Sequence, residues 1–176
     1  MTLTQANGET IKTGFPPVAN IDARTLVLGS MPGEASLQKK QYYGHPRNLF
    51  WEFMGEILGF NPNIAYDERL LRLTENQIAL WDVLNSCQRN GSLDANIIET
   101  SEVINDFDRF FDKYRQINRI CFNGQKAFNT FKKYAVKRQK IRYSAIEKLV
   151  LPSTSPANAS IPRDIKYRKW KEAITG

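Results

Sequence analysis

Residues 26–53, LVLGSMPGEASLQKKQYYGHPRNLFWEF, decide how the rest of the chain is read. Thr25-Leu26-Val27-Leu28 is a continuous apolar run closed by Gly29, the pattern of a strand buried on both faces within a parallel sheet. The turn that follows, Gly29-Ser30-Met31-Pro32-Gly33, is neither a P-loop nor a dinucleotide fingerprint, because the chain has no GxGxxG and no GK[ST]. No helix is expected directly after it. From Pro46 the spacing changes: Phe50, Phe53, Met54, Ile57 and Leu58 recur at three and four residues, with Pro46 near the first helical position and Gly59 at the end, which predicts a helix. A strand, a glycine turn, two adjacent tyrosines and a helix start are the parts from which a small α/β domain builds a ligand site at a strand end.

The same patterns extend outward. A helix is predicted over 64–73 and a strand over 77–83, with Asp82, Asn85 and Ser86 at its end. A long helix is predicted over 103–114, placing Glu99, Glu102, Asp106 and Asp108 on its solvent side. Residues 119–122 read as a third strand stopped by Asn123-Gly124. Ala127, Phe128, Phe131 and Tyr134 mark the next helix, with Lys126, Lys132, Lys133 and Lys137 on its outer face. Residues 148–151 read as a fourth strand ended by Pro152, and a last helix from about Asp164 is expected to bury Ile165, Tyr167, Trp170 and Ala173 in part. Residues 1–20, with Gly8, Gly14, Pro16 and Pro17, read as an arm laid over the domain. Strands alternate with helices, so residues 1–176 are expected to form one α/β domain, a four-stranded parallel sheet covered on both faces by right-handed crossovers. The turns GSMPG, DVLNS, NGQK and PSTSPANAS then share one edge of the sheet, where such folds bind ligands.

Composition sets the outer limits. The 176 residues suffice for a core without disulfide or metal staples, and no apolar run approaches the roughly 20 residues of a membrane span. The N-terminus has no targeting pattern, so a cytoplasmic location is expected. Cys87 and Cys121 are far apart and belong to no CxxC or His-rich cluster, which makes them reduced packing residues. Residues 1–112 carry 9 Lys/Arg against 15 Asp/Glu, whereas residues 113–176 carry 16 against 3. From Lys113 to Arg142 there are ten basic residues and no acidic one, a pattern that points to a polyanionic partner.

The candidate chemistry is sparse. The glycines of 29–33 would let backbone N–H groups approach a ligand, although a tight turn alone explains them equally well. Tyr42 and Tyr43 are either core residues or a stacking surface for a planar base. His45, the only histidine, reads as a turn residue rather than an acid or base, and with two distant cysteines it leaves almost no material for a Ser-His-Asp triad or a metal site. No cofactor or metal is expected. Asn48 and Asn123 stand where strand-end loops become helices, where an amide either holds a water or base edge or caps the helix. Ser153, Thr154, Ser155, Pro156 and Asn158 suit gripping a phosphate backbone, as does Lys126, or else cap the last helix. Glu34 is the one carboxylate close in sequence to the first turn that could act as a base.

At these residues the sequence resembles the uracil-DNA glycosylase superfamily and, within it, the hypoxanthine-DNA (DNA-deoxyinosine) glycosylases. The matching segments are GSMPGEASL at 29–37, QYYGHPRNLFW at 41–51, ALWDVLNSCQRNGSLD at 79–94, FNGQKA at 122–127 and LPSTSPANAS at 151–160. The resemblance implies a three-layer α/β/α sandwich and a monofunctional, monomeric enzyme that flips a deaminated base, hypoxanthine first, out of DNA and hydrolyses its N-glycosidic bond. HPRNLFW is also similar to the mismatch-specific uracil glycosylases, so uracil is the second expectation. A nucleic-acid-binding module without catalysis is the third, because Met31 stands where the mismatch-specific branch carries a water-positioning asparagine. By resemblance, Asn48 is catalytic with help from Asn123. Tyr43, His45 and residues 29–33 hold the base, and 153–158 enter the DNA without the bulky wedge of the uracil enzymes.

Overall fold

A computed structural model describes residues 3–4, 10–138 and 141–176. In chain order the elements are β1 (Leu3–Thr4), β2 (Thr10–Thr13), β3 (Thr25–Gly29), α1 (Glu34–Lys39), α2 (Phe50–Leu58), α3 (Tyr66–Glu75), β4 (Ile78–Asp82), β5 (Leu84–Gln88), β6 (Val103–Ile104), α4 (Phe107–Lys113), β7 (Arg119–Asn123), α5 (Gln125–Arg138), α6 (Ile141–Ala145), β8 (Glu147–Leu151) and α7 (Arg163–Thr175).

The central sheet is parallel with order β4-β3-β7-β8, as expected. Side chains alternate across each strand, and both faces of β3, β4 and β7 are dry, whereas edge strand β8 leaves Val150 exposed. Leu26, Leu28, Ala79, Trp81, Ile120 and Phe122 pack with Phe107, Phe110 and Phe111 of α4 and Phe131 of α5. Val27, Ile78, Leu80 and Cys121 face the other way, against Phe50, Phe53 and Met54 of α2, Leu73 of α3 and Trp170 of α7. That double burial is why these strands read as unbroken apolar runs, and it makes the domain an α/β/α sandwich.

Five expectations are corrected. Part of the N-terminal arm is a strand: β2 pairs with β5, and β1-β2-β5-β6 form a second, antiparallel sheet. Residues 1–2 and 5–9, Gly8 included, lie outside the described residues. The predicted helix over 103–114 is shorter, because Val103 and Ile104 pair with β5 and Asp106 starts α4 by accepting a hydrogen bond from the Arg109 N–H at 3.0 Å. Glu99 and Glu102 therefore precede that helix. A short helix, α1, does follow the glycine turn, and α2 begins at Phe50 rather than near Pro46 because residues 45–48 form a turn closed by Asn48 N–H to the His45 carbonyl at 2.9 Å. In α7, Ile165 is exposed and Lys166 takes the buried place. Both cysteines are buried and free, as expected.

Candidate active site

The carboxyl ends of β3, β4, β7 and β8 open onto one cavity of about 610 Å³, within the range of small-molecule sites. All of residues 29–33, Tyr43, His45, Asn48, Asn123 and the loop 153–158 line it. Sites predicted from four separated segments thus converge on one place.

The two tyrosines divide the alternatives between them. Tyr42 is core: it is buried and donates to the Pro16 carbonyl at 3.0 Å, while its own carbonyl accepts from the Trp51 indole at 2.8 Å. Tyr43 adopts φ +55°, a left-handed conformation unusual for a bulky residue, and this turns its ring from the core to the cavity. Its ring packs on Phe50 with centroids 4.1 Å apart, and the residue lines the cavity. Its hydroxyl is buried without a hydrogen bond of normal geometry; burial first, then the Asp82 charge, holds it far above the ordinary phenol range, so it stays neutral and able to donate.

Asn48 both caps and faces the cavity. Its Oδ1 accepts from the Phe50 N–H at 3.0 Å, which fixes the orientation of the amide. One lone pair on Oδ1 and the amide N–H groups remain for a ligand or water. Asn123 is more committed: Nδ2 donates to Thr154 Oγ1 at 2.8 Å, and Oδ1 accepts from the Thr154 N–H at 2.9 Å. This reciprocal pair ties β7 to the loop after β8. Thr154 is fully buried by it, which corrects the expectation that its hydroxyl grips a phosphate. The loop is braced further by Lys166, whose buried ammonium donates to the carbonyls of Ser153 and Asn158, and by Trp170, which donates to the Pro152 carbonyl at 3.0 Å.

Other predicted residues are already engaged. Ser30 donates to the Asp94 carboxylate at 2.8 Å. Met31 is buried against Leu84, Cys87 and Ile97, a small apolar cluster that explains a methionine in the first motif. His45 Nδ1 accepts from the Arg47 N–H at 3.1 Å, a turn contact that leaves the ring proton on Nε2. Glu34 lies outside the cavity, paired with Lys12 at 2.9 Å, and that ammonium lowers its pKa. Lys126 pairs with Glu102, so its charge is met within the protein, and Lys133 pairs with Glu99.

Reading the sequence missed one whole wall. Residues 89–94, after β5, are fastened to the first turn: Arg89, fully buried, donates to the carbonyls of Pro32 and Gly91, Lys12 donates to the Gly91 carbonyl at 2.7 Å, and Ser92 Oγ accepts from the Glu34 N–H at 2.8 Å. Reading the sequence also placed Asp82 at a strand end without giving it a role; the residue is 4% exposed at the end of β4, and its Oδ2 has no hydrogen-bond partner. An aspartate inside the apolar run ALWDV was the available signal, since carboxylates are rarely fully buried without a partner. Burial, then the nearby Asp94 charge, raises its pKa to about 7, with Arg89 opposing.

A raised pKa carries a definite sign for stability. The folded state holds its Asp82 proton to about pH 7, whereas the unfolded chain releases it near 4. Stability is therefore fully present below about pH 4 and is lost as pH rises to about 7, on the order of 4 kcal/mol at 1.36 kcal/mol per unit. Asp82→Asn is expected to remove this loss: thermal melting from about pH 5 to pH 8 should show the wild-type midpoint falling relative to the variant.

The profile of the uracil DNA glycosylase superfamily matches residues 16–175. The chain belongs to the uracil-DNA glycosylase superfamily. Among proteins similar to this superfamily member, one named "Hypoxanthine DNA glycosylase" from Methanosarcina acetivorans is 40% identical over 162 residues, covering 92% of this chain and 96% of the relative. Another of that name from Methanosarcina barkeri is 39% identical over 166 residues, covering 93% and 98%. A solution NMR structure of a candidate uracil DNA glycosylase from Methanosarcina acetivorans superposes with a TM-score of 0.79 at 37% identity, covering 93% of this chain and 96% of that one.

Proposed function

We propose that this protein is a monofunctional DNA glycosylase that flips a deaminated base, hypoxanthine by preference, out of DNA and hydrolyses its N-glycosidic bond. The observation that carries the proposal is the convergence of Tyr43 and Asn48 on one cavity at the open edge of the sheet. The ring of Tyr43 supplies a stacking face, and the amide of Asn48 supplies polar contacts beside it. The two relatives named for hypoxanthine, matched over nearly their whole length, support that base over uracil.

Such a site suits the chemistry. As the C1′–N9 bond breaks, its electron pair leaves with the base and the sugar becomes oxocarbenium-like, so the site must hold a water, receive the departing base and keep phosphate charge near the cation. The free lone pair of Asn48 Oδ1 can accept from that water and aim its oxygen at C1′. Among the described residues no lysine lines the cavity, and Lys39 donates to the Gly44 carbonyl at 2.8 Å, which supports hydrolysis over Schiff-base lyase chemistry.

The expected product is free hypoxanthine, identified by mass spectrometry from a deoxyinosine duplex, with a strand that breaks only after alkali. Cleavage without alkali would refute the monofunctional assignment, and tight binding with no base released would favour a binding module. DNA contact should also be salt-dependent. Lys132 and Lys137 are exposed on α5 and Arg168, Lys169 and Lys171 on α7, although Arg119, Lys126 and Lys133 of the basic region pair with Glu147, Glu102 and Glu99. Affinity is expected to fall by at least about tenfold between roughly 50 and 200 mM salt; a flat response in a fluorescence-anisotropy titration would remove the basic region from the interface.

A further inference from the structure

We propose that Asp82 is a catalytic acid of base release, giving its carboxyl proton to N7 of the departing purine. This rests on the glycosylase reading above. Several polar groups of the cavity are spent on the fold, Ser30 on Asp94, Asn123 on Thr154 and His45 Nδ1 on the Arg47 N–H, whereas the Tyr43 hydroxyl beside Asp82 is held neutral and is no acid at this pH. Asp82 alone among the cavity's described carboxyl groups is buried with an oxygen that meets no partner. Gly29 leaves it uncovered, since a Cβ there would lie 2.4 Å from Asp82 Oδ1. A buried, unpartnered carboxyl in a cleft is a pattern of functional sites rather than of stable cores.

The neutral acid is the form that helps. Negative charge develops on the base as it leaves, so a carboxylate beside it would oppose the step, whereas a carboxyl group relieves it. The C1′–N9 electron pair goes to the purine, the Asp82 proton goes to N7, and hypoxanthine departs neutral. Water adds to C1′ through oxygen, its proton passes to solvent, and a solvent proton restores Asp82. The charges that act on Asp82 are Asp94 and Arg89 on the loop after β5, and Asp82 in turn raises the pKa of the neutral phenols facing it, Tyr42 and Tyr43 after α1 and Tyr66 of α3. Burial and Asp94 together hold its pKa at about 7, which keeps the acid populated near neutrality.

The test is the single-turnover release rate from about pH 5.5 to 9 on duplexes carrying deoxyinosine or 7-deaza-deoxyinosine, which lacks N7. Wild type should lose rate about tenfold per unit above pH 7, as the titration of one acid requires. Asp82→Asn should lose that pH dependence. Asp82→Ala should lose at least about tenfold on deoxyinosine near pH 6 but no more than about twofold on the 7-deaza substrate. Circular dichroism and binding to an uncleavable duplex verify folding for both variants. Equal losses on the two substrates, or a wild-type rate that rises through pH 7, would overturn the role of Asp82 while leaving the glycosylase standing. No hypoxanthine released at any pH would overturn the glycosylase reading and this role with it.

A separate observation concerns Leu93. Its loop is pinned on both sides, through Gly91 to Lys12 and Arg89, through Ser92 to Glu34, and through Asp94 to Ser30, yet Leu93 itself is 51% exposed at the cavity rim. It is the one large apolar side chain among the lining residues to be so exposed, and the facing loop 153–158 offers none. We infer that Leu93 enters the base stack and fills the space vacated by the flipped nucleotide, as apolar wedges do in bent duplexes. Leu93→Ala should slow release from a deoxyinosine duplex at least about fivefold, with single-stranded substrate unchanged within about twofold and Leu93→Met close to wild type. Equal slowing on both substrates, or none on the duplex, would overturn it.

Discussion

Asn48→Ala is expected to lower the rate of hypoxanthine release by about 10²–10³-fold, the loss typical of removing one preorganised polar group from a site where charge develops. DNA affinity should stay within about threefold, because one amide at the cavity adds little to a phosphate-dominated interface. The amide has two duties that the substitution separates. Oδ1 closes the turn into α2 through the Phe50 N–H at 3.0 Å, and losing that bond costs about 1 kcal/mol of stability. The rate loss must therefore exceed anything the small drop in melting temperature explains. Asn48→Asp keeps the acceptor for Phe50 and restores stability, yet it replaces the amide donors with charge near the departing base, so its activity should stay low. An Asn48→Ala enzyme with wild-type rates would take Asn48 out of the chemistry.

Gly29→Ala is expected to damage both fold and activity. The new methyl would sit 2.4 Å from Asp82 Oδ1 and 3.4 Å from the Tyr43 hydroxyl. Gly29 pairs in register with Asp82 across the two central strands, so neither backbone can retreat without breaking the sheet. The Asp82 carboxyl would have to turn away from its buried position beside Gly29, and overpacking of this kind costs about 1–3 kcal/mol. Displacing Asp82 should reduce release by at least about 10-fold, as misplacing a group in a site by an ångström does. Gly33→Ala is the control, since its nearest contact would be Ser92 Oγ at an ordinary 3.4 Å. Similar effects from the two alanines would mean that the contact with Asp82 is not what demands glycine at 29.

What was legible in the chain follows from what each segment buries. β3, β4 and β7 are dry on both faces, so their apolar runs stood out, and with them the edge where the turns converge. β2 and β5 were not legible, because they carry lysine, asparagine and glutamine, and their buried positions Lys12, Leu84 and Cys87 form neither an apolar run nor a regular alternation. With β5 unseen, its following loop was unseen too, which hid Arg89 and Leu93. The basic stretch looked uniformly free because its partners Glu99, Glu102 and Glu147 lie outside it in sequence, and ion pairing across elements leaves no local pattern. Asn48 and Asn123 were named for chemistry or capping as alternatives. Asn48 serves its turn while facing the cavity, and Asn123 is largely a tie to Thr154.

The central claim is that this cavity releases hypoxanthine from DNA. Single-turnover release from two otherwise identical duplexes, one holding deoxyinosine and one deoxyuridine, with the free base quantified directly, tests it most directly. Hypoxanthine should be released at least about tenfold faster than uracil, a margin of about 1.4 kcal/mol in transition-state stabilisation. Faster release of uracil, or release of neither base by folded protein bound to both duplexes, would contradict it.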